Sequence, residues 1–167
     1  GRPFYRIILL HGMAGVGKTT LAKAMVLDKR VQSCFQDPIQ WIDLAEDHTA
    51  EDCLRWLLAR LKSARGGSAR HFAEVREEIR EVLSKTERSV LFVLNGVCRS
   101  EQIDETLLAA KGSKLLILAE DRRVVEPLDE RTKEFRLHKL KRDEAKQLVQ
   151  AIIGVGRADA WIEEVVD

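Results

Sequence analysis

The residues with the clearest chemistry lie near the amino terminus, in a glycine-rich segment that ends in a lysine and threonines. The segment matches the pattern G-x-x-x-x-G-K-[ST] and reads Gly12-Met13-Ala14-Gly15-Val16-Gly17-Lys18-Thr19. An apolar run precedes it and an amphipathic stretch follows it. Glycine permits backbone conformations that other residues avoid, so successive N–H groups can converge on one anion. The pattern therefore predicts a phosphate-binding loop between a strand and a helix.

The side chains that end this loop have separate predicted roles. Lys18 is expected to reach the outer phosphates of a nucleotide, and Thr19 to coordinate Mg²⁺ through its hydroxyl. Thr20 can bond a further phosphate oxygen, and the start of the helix adds partial positive charge. The predicted nucleotide-binding residues are Gly12, Ala14, Gly15, Val16, Gly17, Lys18, Thr19 and Thr20.

The elements that must position this loop can be read from hydrophobic periodicity. Four apolar runs have the length of strands: Ile7–Leu10, Ile39–Leu44, Val90–Leu94 and Leu115–Leu118. Amphipathic stretches separate them, with apolar stripes at Leu54, Leu57, Leu58 and Leu61 and at Phe72, Val75, Ile79 and Val82. Alternation of strands and helices predicts a parallel sheet. A strand that is apolar on both faces must be covered on both sides, so we expect a three-layer α/β domain.

Composition narrows the classes of function. At 167 residues, with a formal net charge of +1, the chain has room for one domain and lacks the basic field that drives nucleic-acid binding. Its longest aliphatic runs are far shorter than the roughly 18 residues of a membrane span. Its 3 cysteines are too few and too dispersed for a disulfide framework or a zinc site. We therefore expect a cytoplasmic protein that binds neither nucleic acid nor membrane.

The phosphate loop and the helix after it, Gly12 to Ala22, resemble the NB-ARC domain of plant NLR immune receptors, which are P-loop NTPases of the STAND class. Two further sets of residues in this chain resemble conserved blocks of that family. They are Phe35 with Ile39-Gln40-Trp41-Ile42, and Leu137, Leu140, Glu144-Ala145 and Leu148-Val149. The resemblance implies a five-stranded parallel sheet in the order 5-1-4-3-2. It also implies an ADP/ATP switch that holds a receptor off or lets it oligomerise, with other receptor domains as partners.

The same resemblance implies a division of the chain. Residues 1–154 would form the P-loop nucleotide-binding domain, and residues 155–167 would begin the following helical (ARC) subdomain. We therefore expect the chain to be a piece of a longer protein. The segment 63–68, which is rich in serine and glycine, is expected to be a mobile loop between two helices.

Two positions depart from the family pattern where chemistry is expected. The family places two acidic residues after the Walker B strand, one for the Mg²⁺ shell and one to activate water, and this chain has Asn95 and Gly96 there. Asparagine can bond to a metal-bound water, but it supplies no negative charge and cannot accept a proton as a base. The resemblance thus implies that Mg²⁺ binds weakly, if at all, and that hydrolysis is impaired.

A third departure lies at the end of the family's sensor strand, which residues Gly112 to Glu120 resemble. The family usually has an arginine there that senses the γ-phosphate, and this chain has Glu120. Like charges repel by about 4 kcal/mol at 4 Å with an effective dielectric of about 20, so ATP should bind less well than ADP. Two alternatives remain open. In the first, Glu120 points to solvent or pairs with Arg122 or Arg123. In the second, Asp121 itself serves as the carboxylate, at a displaced position.

Two other classes of function are compatible with the sequence. One is an active ATPase or kinase whose carboxylate lies elsewhere, with four candidates near strand ends: Asp43, Glu46, Asp47 and Asp121. The other is a nucleotide-independent protein-interaction module, against which the intact Lys18 argues because a structural turn needs no lysine. A guanine-specific protein is disfavoured, since the chain contains no Asn-Lys-x-Asp stretch.

Overall fold

The computed structural model of the chain describes residues 5–61, 71–85 and 89–153. It divides into two compact units, residues 1–137 and residues 138–167, which are described separately. The expected mobile loop at 63–68 and the predicted domain boundary at 154–155 both lie outside the described residues, so both stay predictions.

The elements follow the predicted alternation. The strands of the first unit are β1 Ile7–His11, β2 Gln40–Asp43, β3 Leu91–Val97, β4 Lys114–Ala119 and β5 Thr132–Arg136. Its α-helices are α1 Lys18–Leu27, α2 Lys29–Gln32, α3 Ala50–Leu61 and α4 Phe72–Lys85, and its 3₁₀ helices are Ser100–Gln102, Glu105–Leu108 and Arg122–Arg131. The described part of the second unit holds one helix, α5 Arg142–Ile153. No helix among the described residues is long and apolar enough to cross a membrane.

The five strands form one sheet in the order β2-β3-β4-β1-β5, and every neighbouring pair is parallel. This confirms the predicted order, read from the opposite edge. The four apolar runs correspond to β1 through β4. The fifth strand reads Thr-Lys-Glu-Phe-Arg and lies at an edge, where its side chains are half-buried or exposed. An edge strand needs no continuous apolar run, so the resemblance implied β5 but the hydrophobic pattern did not.

Side chains of the central strands alternate between two apolar clusters on opposite faces of the sheet. Phe92 and Leu94 of β3 belong to the cluster that includes buried residues of α3 and α4. Leu91 and Val93 belong to the cluster that includes Ala22 of α1. Helices therefore cover both faces, which is the predicted three-layer arrangement. In α4 the third buried position is Leu83, while Val82 of the predicted stripe is half-buried.

The loops that follow β2 and β3 are tied together by the side-chain amide of Gln102, which is 1% exposed. Its Oε1 accepts from the backbone N–H groups of Cys98, at 2.9 Å, and Arg99, at 3.2 Å. Its Nε2 donates to the carbonyl oxygens of Ala45, at 2.9 Å, and His48, at 3.0 Å. One buried amide thus fixes the separation of two loops at the carboxyl edge of the sheet.

We expect Gln102→Ala to lower the free energy of unfolding by about 2–4 kcal/mol, because it leaves partly buried backbone groups without their hydrogen-bond partner and opens a cavity. Urea denaturation followed by circular dichroism measures this change. Gln147→Ala is the matched control, since Gln147 is exposed on α5. A loss no larger than that of the control would contradict the proposed tie between the loops.

Candidate phosphate-binding site

The glycine-rich loop leaves the carboxyl end of β1, which lies between β4 and the edge strand β5. The N–H of Gly12 donates to the carbonyl oxygen of Ala119 at the end of β4, at 3.3 Å. On the other side, Leu137 donates its N–H to the carbonyl oxygen of His11, at 2.7 Å. The loop therefore starts between the ends of β4 and β5. Many α/β proteins bind ligands at the carboxyl ends of their parallel strands.

Three glycines give the loop its shape. Gly12, Gly15 and Gly17 have φ values of 154°, 73° and 100°. A Cβ on Gly12 would lie 2.6 Å from the carbonyl oxygen of Leu137, so only glycine fits there. At Gly15 and Gly17 a Cβ would meet no atom of the described residues within 4 Å, so these two are needed for their backbone conformation.

Helix α1 begins without a side-chain cap. Its N-cap is Gly17, in the left-handed conformation, and glycine has no side chain that could accept the N–H groups of the first turn. The first turn, Lys18-Thr19-Thr20, contains no acidic residue. The partial positive charge of the helix terminus therefore faces the loop without a built-in counter-charge.

Lys18 folds back over the loop that precedes it. Its half-buried side chain donates to the carbonyl oxygens of Gly12, at 2.7 Å, and Met13, at 2.9 Å. Two donors of the ammonium group thus hold it above the loop. Of the other predicted residues, Ala14 and Thr20 are exposed, and Val16 is half-buried with its N–H donated to Met13.

Thr19 is linked to the ends of two strands by a chain of hydrogen bonds. Its hydroxyl donates to Oδ1 of Asn95 at 2.9 Å, and Nδ2 of Asn95 donates to Oδ1 of Asp43 at 2.8 Å. Trp41 donates its indole N–H to the same oxygen of Asp43, at 2.9 Å. The hydrogen bonds from Asn95 and Trp41 hold the pKa of the Asp43 carboxyl below its usual range. The structure thus places Asn95 beside the loop, and with it a carboxylate from β2.

Gly96 forms a bulge in β3. Asn95 pairs with Leu118 and Val97 pairs with Ala119, so Gly96 is an extra residue between them. Its φ is 87°, and a Cβ there would lie 2.6 Å from the carbonyl oxygen of Leu44. The backbone conformation and the nearby carbonyl oxygen therefore both require glycine at position 96. The position lacks a carboxylate for the same reason.

Acidic side chains after β4 are engaged in different ways. Glu120 is exposed and lies one residue beyond the carbonyl group that accepts from the loop. The guanidinium and backbone N–H of Arg123 bond to Asp121 and lower the pKa of its carboxyl to about 2. Arg122 donates to Glu134 of β5 through two bonds of 3.2 Å. Asp121 is thus held by Arg123, and Arg122 pairs with Glu134, while Glu120, at the predicted sensor position, is exposed.

Of the four candidate displaced carboxylates, Asp43 is the one that the structure joins to the loop. Glu46 and Asp47 are exposed in the turn after β2. Asp43 and Asn95 are register partners in neighbouring parallel strands, which explains why their side chains meet. The sequence signal for this link was a polar residue near the end of each strand, and the strand order implied by the resemblance makes the two strands neighbours, but neither gives the register that pairs Asp43 with Asn95.

Solved structures with a similar fold come from several archaea. The ORC2 protein of Aeropyrum pernix, in its ADP form, has a TM-score of 0.66 and 16% identity, over 94% of this chain and 48% of that one. The Cdc6p protein of Pyrobaculum aerophilum has a TM-score of 0.63 and 18% identity, over 94% and 46%. A STAND protein from Pyrococcus horikoshii with a tetratricopeptide repeat sensor has a TM-score of 0.60 and 18% identity, over 96% and 24%. The chain spans less than half the length of each of these proteins, and the likeness establishes the fold.

The family assignment comes from the sequence. The model of the NB-ARC domain family matches residues 3–159, which is nearly the whole chain and includes the loop, Asn95 and Gly96. This agrees with the resemblance seen in the loop and in the blocks that follow it. The chain belongs to the NB-ARC domain family.

Proposed function

We propose that the chain is an adenine-nucleotide-binding switch module that holds ADP or ATP by its phosphates and hydrolyses ATP poorly. The observation that carries this proposal is the loop itself. Three glycines with positive φ, a helix terminus without a side-chain cap and the Lys18 ammonium meet at one end of the sheet. A site built of N–H donors and one cation selects a compact anion such as a diphosphate.

Lys18 is the cation of this site. An ammonium group has three donors, and two of them bond to carbonyl oxygens of the loop. These bonds hold Lys18 over the loop and restrict its rotamers, so the third donor can reach a phosphate oxygen with little loss of side-chain entropy. Gly12, Ala14, Gly15, Val16, Gly17 and Thr20 complete the proposed contacts through the loop and the first turn of α1.

Thr19 is the residue that would hold Mg²⁺. Its hydroxyl hydrogen is donated to Asn95, so the oxygen lone pairs stay available to a metal ion. When bound, Mg²⁺ would neutralise phosphate charge. The donor set on this side is one hydroxyl and one amide, without a directly placed carboxylate, so we propose weak Mg²⁺ binding.

The residues around the loop are poorly suited to hydrolysis. Neither Asn95 nor Gly96 can accept a proton from water. The exposed Glu120 adds negative charge where a γ-phosphate would bring more, so we propose that ADP binds more tightly than ATP. These features favour retention of a nucleotide over its turnover.

We further propose that this module belongs to an intracellular plant immune receptor. The support is the resemblance of its loop, Gly12 to Ala22, and of the Phe35 and Leu137 blocks to those receptors. In that setting its partners would be the other domains of the receptor, and nucleotide exchange would control oligomerisation in the cytoplasm. The net charge of +1 argues against a nucleic-acid partner.

Calorimetry and a phosphate-release assay together test the nucleotide proposal. We expect saturable binding of ADP, weaker binding of ATP, and phosphate release from ATP no faster than in buffer alone. Phosphate release that disappears in Lys18→Ala would overturn the proposal of poor hydrolysis and favour an active ATPase. Absence of any ADP binding would favour an interaction module that does not use nucleotides.

A further inference from the structure

We propose that Asp43 is a positioning residue for Mg²⁺–nucleotide binding, and that it supplies from β2 the negative charge that Asn95 lacks. This inference rests on the proposed function of the loop. Asp43 acts through Asn95: the carboxylate fixes and polarises the amide, and the amide fixes the hydroxyl of Thr19. An amide and a carboxylate on neighbouring strands would then together orient Thr19 and supply negative charge, as a single carboxylate at position 95 would.

The first argument concerns orientation. An ionised carboxylate can only accept hydrogen bonds, so the NH₂ group of Asn95 must face Asp43, at 2.8 Å. The carbonyl oxygen of the Asn95 amide must then face Thr19, at 2.9 Å, and the threonine hydroxyl must donate to it. The lone pairs of the Thr19 oxygen are thereby directed away from Asn95. Without Asp43, the amide could turn over and present NH₂ to the hydroxyl instead.

The second argument concerns charge. Asp43 accepts from Asn95 and from the indole N–H of Trp41 through the same oxygen. An aspartate carboxylate carries a negative charge at neutral pH, and this charge increases the polarity of the amide that it holds.

The third argument concerns geometry. Asp43 and Asn95 are register partners at the carboxyl ends of adjacent parallel strands, so the backbone holds their side chains side by side. The N–H of Leu44 also donates to the carbonyl oxygen of Asn95, at 2.8 Å, which extends the pairing of these strands by one residue. The contact between Asp43 and Asn95 is therefore part of the sheet and does not depend on a loop.

A charge-exchange cycle tests the inference with Asp43→Asn, Asn95→Asp and the double variant that carries both changes. ADP affinity is measured by calorimetry in EDTA and again in MgCl₂. For the unaltered chain we expect Mg²⁺ to raise the affinity. In Asp43→Asn we expect about a tenfold loss of this Mg²⁺-dependent gain, as for removal of one charge-assisted hydrogen bond, with the affinity in EDTA unchanged.

The other two variants separate charge from structure. Asn95→Asp places two carboxylates side by side, so we expect its thermal midpoint to fall by about 3–6 °C. In the double variant the amide and the carboxylate exchange strands, so the hydrogen bond between the two positions can form again with its direction reversed. Both the thermal midpoint and the Mg²⁺-dependent gain should then return. The readout that a purely structural role of Asp43 would not move is the loss of the Mg²⁺-dependent gain in Asp43→Asn while its affinity in EDTA stays unchanged.

Asp47→Asn is the matched control, because Asp47 is an exposed carboxylate four residues further along the chain. An equal loss of the Mg²⁺ effect in this control would show a general effect of surface charge and overturn the inference. An undiminished Mg²⁺ effect in Asp43→Asn, or a double variant no better than Asn95→Asp, would also overturn it. If the unaltered chain binds no ADP in either buffer, the proposed function and the inference both fail. If it binds ADP but the variants do not behave as expected, the inference alone fails.

Discussion

Lys18→Ala should weaken ADP binding by about 10- to 150-fold, which corresponds to the loss of a hydrogen bond between two charged groups. The expectation follows from the position of the ammonium group, which bonds to two carbonyl oxygens of the loop. These bonds restrict the side chain, so little of its binding energy to a phosphate is offset by lost conformational entropy. Calorimetry with ADP in EDTA measures the effect without a contribution from Mg²⁺.

The matched control for this prediction is Lys29→Ala. Lys29 is exposed in α2, and its replacement removes one positive charge without touching the loop. We expect ADP affinity within about twofold of the unaltered chain, since scattered surface charges are screened by salt. Similar losses of ADP affinity in the two variants would show that ADP is attracted by the overall charge of the protein and not by a specific contact with Lys18. That result would contradict the proposal. Both variants should keep their thermal midpoints, because the loop carbonyl oxygens released by Lys18→Ala can bond to water.

Gly96→Asp, which restores an acidic residue at the second Walker B position, should destabilise the domain without creating an ATPase. The expected loss in the free energy of unfolding is about 2–5 kcal/mol, from a left-handed backbone in a residue with a Cβ and from a clash with the Leu44 carbonyl. The first cause is the φ of 87° at Gly96, and the second is the distance of 2.6 Å between a Cβ at this position and the carbonyl oxygen of Leu44. Thermal denaturation should show a fall in midpoint of roughly 5–15 °C.

Gly112→Asp separates the two causes. Gly112 has the same φ of 87°, but a Cβ there would lie 3.4 Å from the Cβ of Ser89, an ordinary contact. This control should lose about 1–2 kcal/mol, the conformational part alone. If Gly96→Asp were no worse than Gly112→Asp, the bulge would tolerate a side chain and the absence of a carboxylate would need another explanation. Phosphate release above background in Gly96→Asp would contradict the expected lack of turnover.

The sequence was most informative where one short pattern carries the geometry. The run from Gly12 to Thr19 predicted a loop between a strand and a helix, because glycine spacing and a flanking apolar run suffice to define it. The strand order came from the family resemblance, and the hydrophobic pattern alone missed β5, whose polar residues suit an exposed edge. Patterns predict which segments are buried, and an edge strand gives little of that signal.

The site was less predictable because its contacts depend on register and backbone angles. Asp43 was one of four candidate carboxylates, and only the pairing of β2 with β3 brings it to Asn95. Gly96 was interpreted as a missing acid, although its positive φ and the nearby Leu44 carbonyl also demand glycine. Trp56 lies beside the leucine stripe of α3, yet it is 40% exposed and contacts His48 edge-on. Such details arise when distant segments meet, which a single sequence does not encode in any local pattern.

The bulge in β3 bears on how this chain could change over generations. One base change converts any glycine codon into a codon for aspartate or glutamate, so an acid at position 96 is always close in mutational terms. A lineage that took this step would first meet a less stable protein, because the neighbouring strand leaves no room for a side chain. A second change that moves the backbone around Leu44 would have to accompany it. The bulge therefore makes an acidic residue at position 96 costly in stability, although it is only one base change away.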